Sequence, residues 1–173
     1  MENPWMNLAA GSFLHRRARG LWKWMEEGWF HFKLSCPYPR RQTGEPLGAY
    51  GERLAAIFLE RQGYLILERS YRIKSGEIDL IAVWKRSVVV FVEVKTWAVP
   101  WENAGGPSDA VDEKKQEKIT RVALAYMKRH HLLESPGRAD VIAVFAGVQP
   151  GERPKFRHFV SAFEATGQFQ MFS

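Results

Sequence analysis

The order of apolar periodicities along this chain predicts an α/β fold, read as αβββαβ with a further strand after it. Three observations carry that expectation. A helix-period segment occupies residues 48–62, a series of strand-like runs fills 64–96, and a second long helix-period segment precedes two more strand-like runs. The central runs are apolar on both faces except at one end, which is the pattern of strands covered by helices on each side.

Each element has its own signals. From Gly48 to Gln62, Leu54, Ala55, Phe58 and Leu59 fall at amphipathic-helix spacing, and Gly63 is placed to stop the helix. Tyr64 to Ile73 reads as a strand, followed by Glu77 to Trp84 and Val88 to Thr96, with Lys85-Arg86-Ser87 as the turn of a hairpin. Trp97 to Pro107, with two prolines and two glycines, reads as a loop. Ser108 is expected to cap a helix running to about His131, in which Ile119, Val122, Ala123 and Tyr126 keep a 3.6-residue period. Ala139 to Ala146 and Phe156 to Ala162 supply the last two strands.

The hairpin carries the chemistry. With three residues in the turn, Trp84 pairs with Val88, Asp79 faces Glu93, and Glu77 faces Lys95. In that register Ile78, Leu80 and Ala82 line one face, while Ile81 and Val83 share the other with Asp79. Directly opposed carboxylates about 5 Å apart destabilise a sheet, and a hard cation removes that penalty. Mg²⁺ suits such a pair, because it takes one or two protein carboxylates and keeps waters for the rest of its shell. A two-residue turn would place the two acids on opposite faces, so the metal reading depends on an odd turn. The competing reading is a Glu-Lys ladder on a wet sheet face, where ion pairs are weak.

Composition excludes more than it identifies. The 173 residues suit a single domain, with 46% hydrophobic and 13% aromatic content to build a core. A lone cysteine, Cys36, rules out an internal disulfide and a multi-cysteine zinc site, and fits a reducing cytoplasm. Neither a Gly-rich phosphate loop nor a nucleophile elbow is present. The net charge of +6 points to a polyanionic partner, although residues 1–44 hold +4 of it. Lys114, Lys115, Lys118 and Arg121 form a basic stripe on the second helix, and Arg69, Arg72 and Lys74 precede the Glu77 strand. Such stripes contact nucleic-acid phosphates, or else are solvated faces.

Gly48 to Ala56 (GAYGERLAA), Gly76 to Ala82 (GEIDLIA) and Phe91 to Thr96 (FVEVKT) together resemble the YraN-like family of small bacterial proteins. That family consists of predicted endonucleases of the PD-(D/E)XK restriction-endonuclease-like superfamily, and the resemblance covers residues 44–165. It implies an αβββαβ core with a mixed central sheet, a nuclease domain at 45–165 and a short tail at 166–173. It further implies a Mg²⁺ or Mn²⁺ cofactor held by Asp79, Glu93 and the carbonyl of Val94. Lys95 would orient the attacking water or stabilise the transition state, and Glu52 would complete the catalytic set. Glu77, Lys115 and Gln116 are expected in support, with Lys114, Lys118 and Arg121 on phosphates.

Two departures from the pattern stand out. Trp97 replaces a common Arg, which suggests base stacking in place of a phosphate contact, and Ser70 replaces a frequent Asn. The implied activity is hydrolysis of DNA phosphodiester bonds, in a homodimer if two strands are cut. The alternative is a nucleic-acid-binding or assembly module that keeps the fold without catalysis.

Residues 1–44 form a basic, aromatic-rich N-terminal extension that most members of that family lack. Leu14, Ala18, Leu21, Met25, Trp29 and Phe32 share one helical face, flanked by Arg16, Arg17, Arg19 and Lys23. Three readings stay open for it: a helix packed on the domain, a disordered or misassigned start, and a surface for a partner or an anionic membrane. It contains no apolar run long enough to span a bilayer.

Overall fold

A computed structural model describes residues 37–98, 112–147 and 152–164. Its elements are α1 (Leu47–Arg61), β1 (Leu65–Ile73), β2 (Gly76–Trp84), β3 (Val88–Trp97), α2 (Glu113–Arg129), β4 (Gly137–Phe145) and β5 (Lys155–Phe163). The five strands form one sheet in sequence order. β3 and β4 are parallel and the other neighbours antiparallel, so the sheet is mixed, as expected. The parallel pair needs a crossover, and α2 supplies it.

Among the described residues, each face of the sheet carries one helix. On one side Ile119, Val122, Ala123, Tyr126 and Met127 of α2 pack with Ile81, Val83, Val89, Phe91 and Val141. On the other, Tyr50, Leu54, Ala55 and Leu59 of α1 pack with Leu80, Ala82, Val90, Val92, Ile142 and Val144. Leu54, Leu80, Val90, Phe91 and Ile142 are fully buried, and each such side chain contributes about 1.5 to 3 kcal/mol by leaving water. Residues just before α1 join this side. Tyr38 packs on Phe156 and lies under Arg61, and Glu45 takes two hydrogen bonds from Arg53. The rest of the N-terminal extension, residues 1–36 with the proposed amphipathic face and Cys36, lies outside the described residues. So does most of the proposed loop at 97–107. Among the described residues no helix is long and apolar enough to cross a membrane.

The start of the second helix differs from expectation. α2 begins at Glu113 with Asp112 as its cap, the Asp112 carboxylate accepting from the Lys115 N–H at 2.8 Å; Ser108 lies outside the described residues. α1 begins at Leu47, so Glu52 is beyond the first turn, where the helix dipole has little hold on it.

The β2–β3 hairpin has the odd register. Lys85 and Arg86 both adopt left-handed backbone angles, and the Ser87 N–H donates to the Trp84 carbonyl at 3.1 Å. A two-residue turn of that kind would continue the ladder from Ser87. Instead Trp84 pairs with Val88, Ala82 with Val90 and Leu80 with Val92, so Ser87 is the extra residue that sets the register.

Candidate active site

The ladder between β2 and β3 ends at Leu80 and Val92, and the residues that follow on each strand build the site. In this register the next hydrogen-bonding partner of Val94 would be Ile78. Ile78 instead joins Ile81 and Val83 in the α2-side core, so side-chain alternation breaks at Asp79. Across β1 the break is matched at Ser70, which lies between the Arg69–Leu80 and Tyr71–Ile78 pairs and has φ 47°. The Asp79 carboxylate fills the gap, its Oδ2 accepting the Val94 N–H at 2.7 Å. The N–H and C=O of one strand residue point to the same edge, so the Val94 carbonyl also faces the opening beside Asp79.

This break overturns two expectations. Ile78 does not share a face with Leu80 and Ala82. Glu77 does not face Lys95, because the β2–β3 ladder ends at Leu80 and Val92, three residues before the two could meet. Glu77 pairs instead with Arg72 across the β1–β2 hairpin, at 2.9 Å.

Glu93 is 3% exposed at the end of β3. Lys95 Nζ stands 3.1 Å from Glu93 Oε1, and Lys115 Nζ of α2 stands 3.1 Å from Oε2. Oε2 is buried, and beyond the Lys115 ion pair it has no further hydrogen-bond partner among the described residues. Burial opposes the charge on Lys115, yet the Glu93 carboxylate holds its ammonium above the usual lysine range.

Burial, first, and the charge of Glu93, second, push Asp79 up to about 7; the Val94 hydrogen bond opposes them, and Glu52 adds to the rise. Glu93 and Glu52 therefore both act on Asp79, although the three carboxylates come from three elements. Glu52 reaches the site from α1, where the Ser70 hydroxyl donates to its Oε2 at 2.9 Å. The left-handed backbone of Ser70 tolerates Asn better than most residues, which gives a physical reason for the Asn expected there.

Gly51 sets how closely α1 approaches. A Cβ at this position would lie 1.7 Å from Thr96 Oγ1 and 2.7 Å from Thr96 Cβ, so only glycine lets the helix rest on β3 beside the site. Sequence reasoning missed this role, although a glycine inside a helix was its signal.

The remaining expected residues divide. Gln116 is partly buried one residue after Lys115, with its backbone N–H on the Asp112 carbonyl. Lys114, Lys118 and Arg121 are exposed on α2. Trp97 is half-buried, and its ring stacks on Phe145 at 5.5 Å and 13°, so one face of the indole is taken by the protein itself.

The donor set suits a hard divalent cation. Asp79, Glu93 and the Val94 carbonyl offer only oxygens, two of the groups repel each other, and Glu93 Oε2 is under-used. Among the described residues no three His, Cys, Asp or Glu side chains converge as a ready-made metal cage. Mg²⁺ does not require one, since one or two carboxylates with waters suffice.

A second buried polar cluster lies on the α1 side of the sheet. Asp140 of β4 is fully buried and is held by Arg138 at 2.9 and 3.1 Å, by His158 Nε2 at 2.8 Å and by the Ser161 N–H at 2.9 Å. Arg138 also donates to the Tyr64 hydroxyl at 2.7 Å. Burial would raise the Asp140 carboxyl, but these donors together hold it below the usual range.

Comparison with known proteins places the chain. The profile of the uncharacterised protein family UPF0102 matches residues 51–144. A UPF0102 protein of Rhodopirellula baltica is 45% identical over 122 residues, which is 70% of this chain and 72% of that protein. One from Caldanaerobacter subterraneus is 41% identical over 124 residues, covering 72% of this chain and 99% of its own length. A third, from Pelobacter propionicus, is 44% identical over 126 residues, 72% of this chain and 86% of that protein. The matched span runs from α1 through β4 and contains the whole carboxylate cluster, and the chain belongs to the UPF0102 family.

Proposed function

We propose that this protein is a metal-dependent endonuclease that hydrolyses phosphodiester bonds, with DNA as its substrate and Mg²⁺ or Mn²⁺ as its cofactor. The observation that carries the reading is the pair Asp79 and Glu93 at the end of a buried hairpin, where burial first and the neighbouring Glu93 charge second lift Asp79 to about 7. A fold does not keep neighbouring carboxylates in a largely buried place for stability, and a cation removes their repulsion.

Asp79, Glu93 and the Val94 carbonyl would hold the ion. When bound, it would neutralise charge on the phosphoryl oxygens and lower the pKa of water in its shell. The protein's own part is positional and electrostatic. The Val94 N–H fixes the Asp79 carboxylate, and burial excludes competing water from Glu93. Lys95, whose side chain is 36% exposed, brings an ammonium to the mouth of the site, where it stabilises charge developing on the reacting phosphate. Lys115 holds Glu93 from the α2 side. Glu52, steadied by Ser70, offers a third carboxylate as proton acceptor or water anchor.

One observation favours a second reading. Lys95 and Lys115 already balance the Glu93 charge, as they would in a nucleic-acid-binding module without catalysis. Incubation with Mg²⁺ or Mn²⁺ and a panel of linear, single-stranded, flap and four-way DNA separates the two. The nuclease reading requires metal-dependent cutting that Asp79→Asn and Lys95→Ala each reduce at least a hundredfold. Binding without cutting by any member of the panel supports the module, and cutting that both variants retain sinks the site.

A further inference from the structure

Beside the carboxylates, between the β1–β2 turn and α2, lies an open cleft of about 330 Å³ lined by Arg72, Ile73, Lys74, Gly76, Glu77, Lys115 and Lys118. Four cations and one carboxylate form its polar walls. Arg72 neutralises Glu77 at 2.9 Å, and Lys115 is committed to Glu93. Lys74 and Lys118 have no ion-pair partner among the described residues. The wall therefore presents two ammonium groups without a counter-charge, while its one acid is already paired.

The cleft is a product of close packing. Gly76 has φ 153°, and a Cβ there would lie 3.1 Å from Val122 Cγ2 and 3.7 Å from Lys118 Cβ. Its missing side chain lets the turn rest on α2, which brings Lys74 of one element beside Lys118 of the other. Lys114 and Arg121, neighbours of Lys118 in the sequence stripe, do not line the cleft.

We infer that this cleft seats a backbone phosphate of the nucleic-acid strand, the one neighbouring the phosphate that lies at Asp79 and Glu93; this rests on the nuclease reading above. The cleft shares Lys115 with the site, and its Glu77 is two strand residues from Asp79, roughly 7 Å. A strand entering the site thus meets the Lys74 and Lys118 charges beside the reacting position. The contact is to phosphate alone, so it sets position along the strand and carries no base preference.

The test is binding of a fluorescent oligonucleotide, in Ca²⁺ to suppress cutting, across a salt series. Lys74→Ala/Lys118→Ala is compared with Lys128→Ala/Arg129→Ala, which removes the same charge from the far end of α2. The cleft variant is expected to bind about ten- to fiftyfold more weakly at 100 mM salt, with a log–log salt slope shallower by about 0.7 on single strands or 0.9 on duplex, the change for one phosphate. The distal variant keeps the parental slope. Equal losses in the two variants, or no oligonucleotide binding by the parent, overturn the inference. Competition by inorganic phosphate as strong as by unlabelled oligonucleotide, per phosphate, also overturns it, because the cleft would then be a free-anion site. Binding is read without cleavage, so the two readings fail separately. Loss of binding in the cleft variant of a protein that cuts nothing leaves the phosphate seat standing and removes the nuclease.

Discussion

Asp79 and Asp140 are both aspartates within one sheet, and they have opposite electrostatics. Asp140 is wrapped by a guanidinium, an imidazole and a backbone N–H, and its carboxyl is held down. Asp79 has one backbone donor and two carboxylates acting on it, and its carboxyl is raised to about 7. Burial is common to both, so the difference lies in the partners. A buried charge whose oxygens are all satisfied staples strands together. One left among like charges is a candidate for chemistry.

The largest expected effect breaks the satisfied side. Asp140→Ala strands Arg138 without its counter-charge and is expected to cost about 3 to 5 kcal/mol in urea unfolding at pH 7. The pH dependence has a definite sign. Because the folded Asp140 carboxyl is held low, its contribution is present above the unfolded aspartate pKa and is lost as pH falls through the lower folded value. The parent should lose stability in acid faster than Asp140→Ala does.

Asp79 should behave in the opposite way. Its folded pKa of about 7 lies above the ordinary 3.8, so its favourable contribution is complete below 3.8 and is lost as pH rises through 7. Without divalent cations, Asp79→Asn is expected to be more stable than the parent by about 1 to 3 kcal/mol at pH 8. The gain should vanish near pH 4. Millimolar Mg²⁺ or Mn²⁺ should raise the Tm of the parent and leave that of Asp79→Asn unchanged. A destabilised Asp79→Asn at pH 8 would mean that the two aspartates are alike.

Gly51→Ala tests the packing that brings Glu52 to the site. Its new Cβ meets Thr96 within a covalent distance, so α1 must move, at a cost of about 1 to 3 kcal/mol by thermal unfolding. Cutting, where present, should fall more than that loss accounts for. The smallest effect is Ser70→Asn, which suits the left-handed backbone and is expected to add a few tenths to about 1 kcal/mol in the same measurement. If it weakens the protein, the hydroxyl bond to Glu52 matters more than the backbone angle.

Much of this was legible in the chain before any coordinates. The seven elements follow from periodicity, because apolar spacing reports which side of each element is buried; three polar residues, Lys85, Arg86 and Ser87, between two apolar runs suggested an odd turn, and the ladder decided it against a two-residue one. The motifs around Glu52, Asp79 and Glu93 likewise pointed to the family. What the chain could not display was where β2 leaves β3. The break at Asp79 and Ser70 depends on the packing of Ile78 and Tyr71 under α2, and it decided that Glu77 pairs with Arg72 and that Val94 binds Asp79. Lys115 on Glu93, Trp97 on Phe145 and the four-residue cluster around Asp140 are likewise contacts between elements distant in sequence. Local sequence determines the periods and turns because backbone sterics and burial act within a few residues. Which charges meet at the end of the sheet was decided only by the packing of the two helices, since no residue carries that information alone.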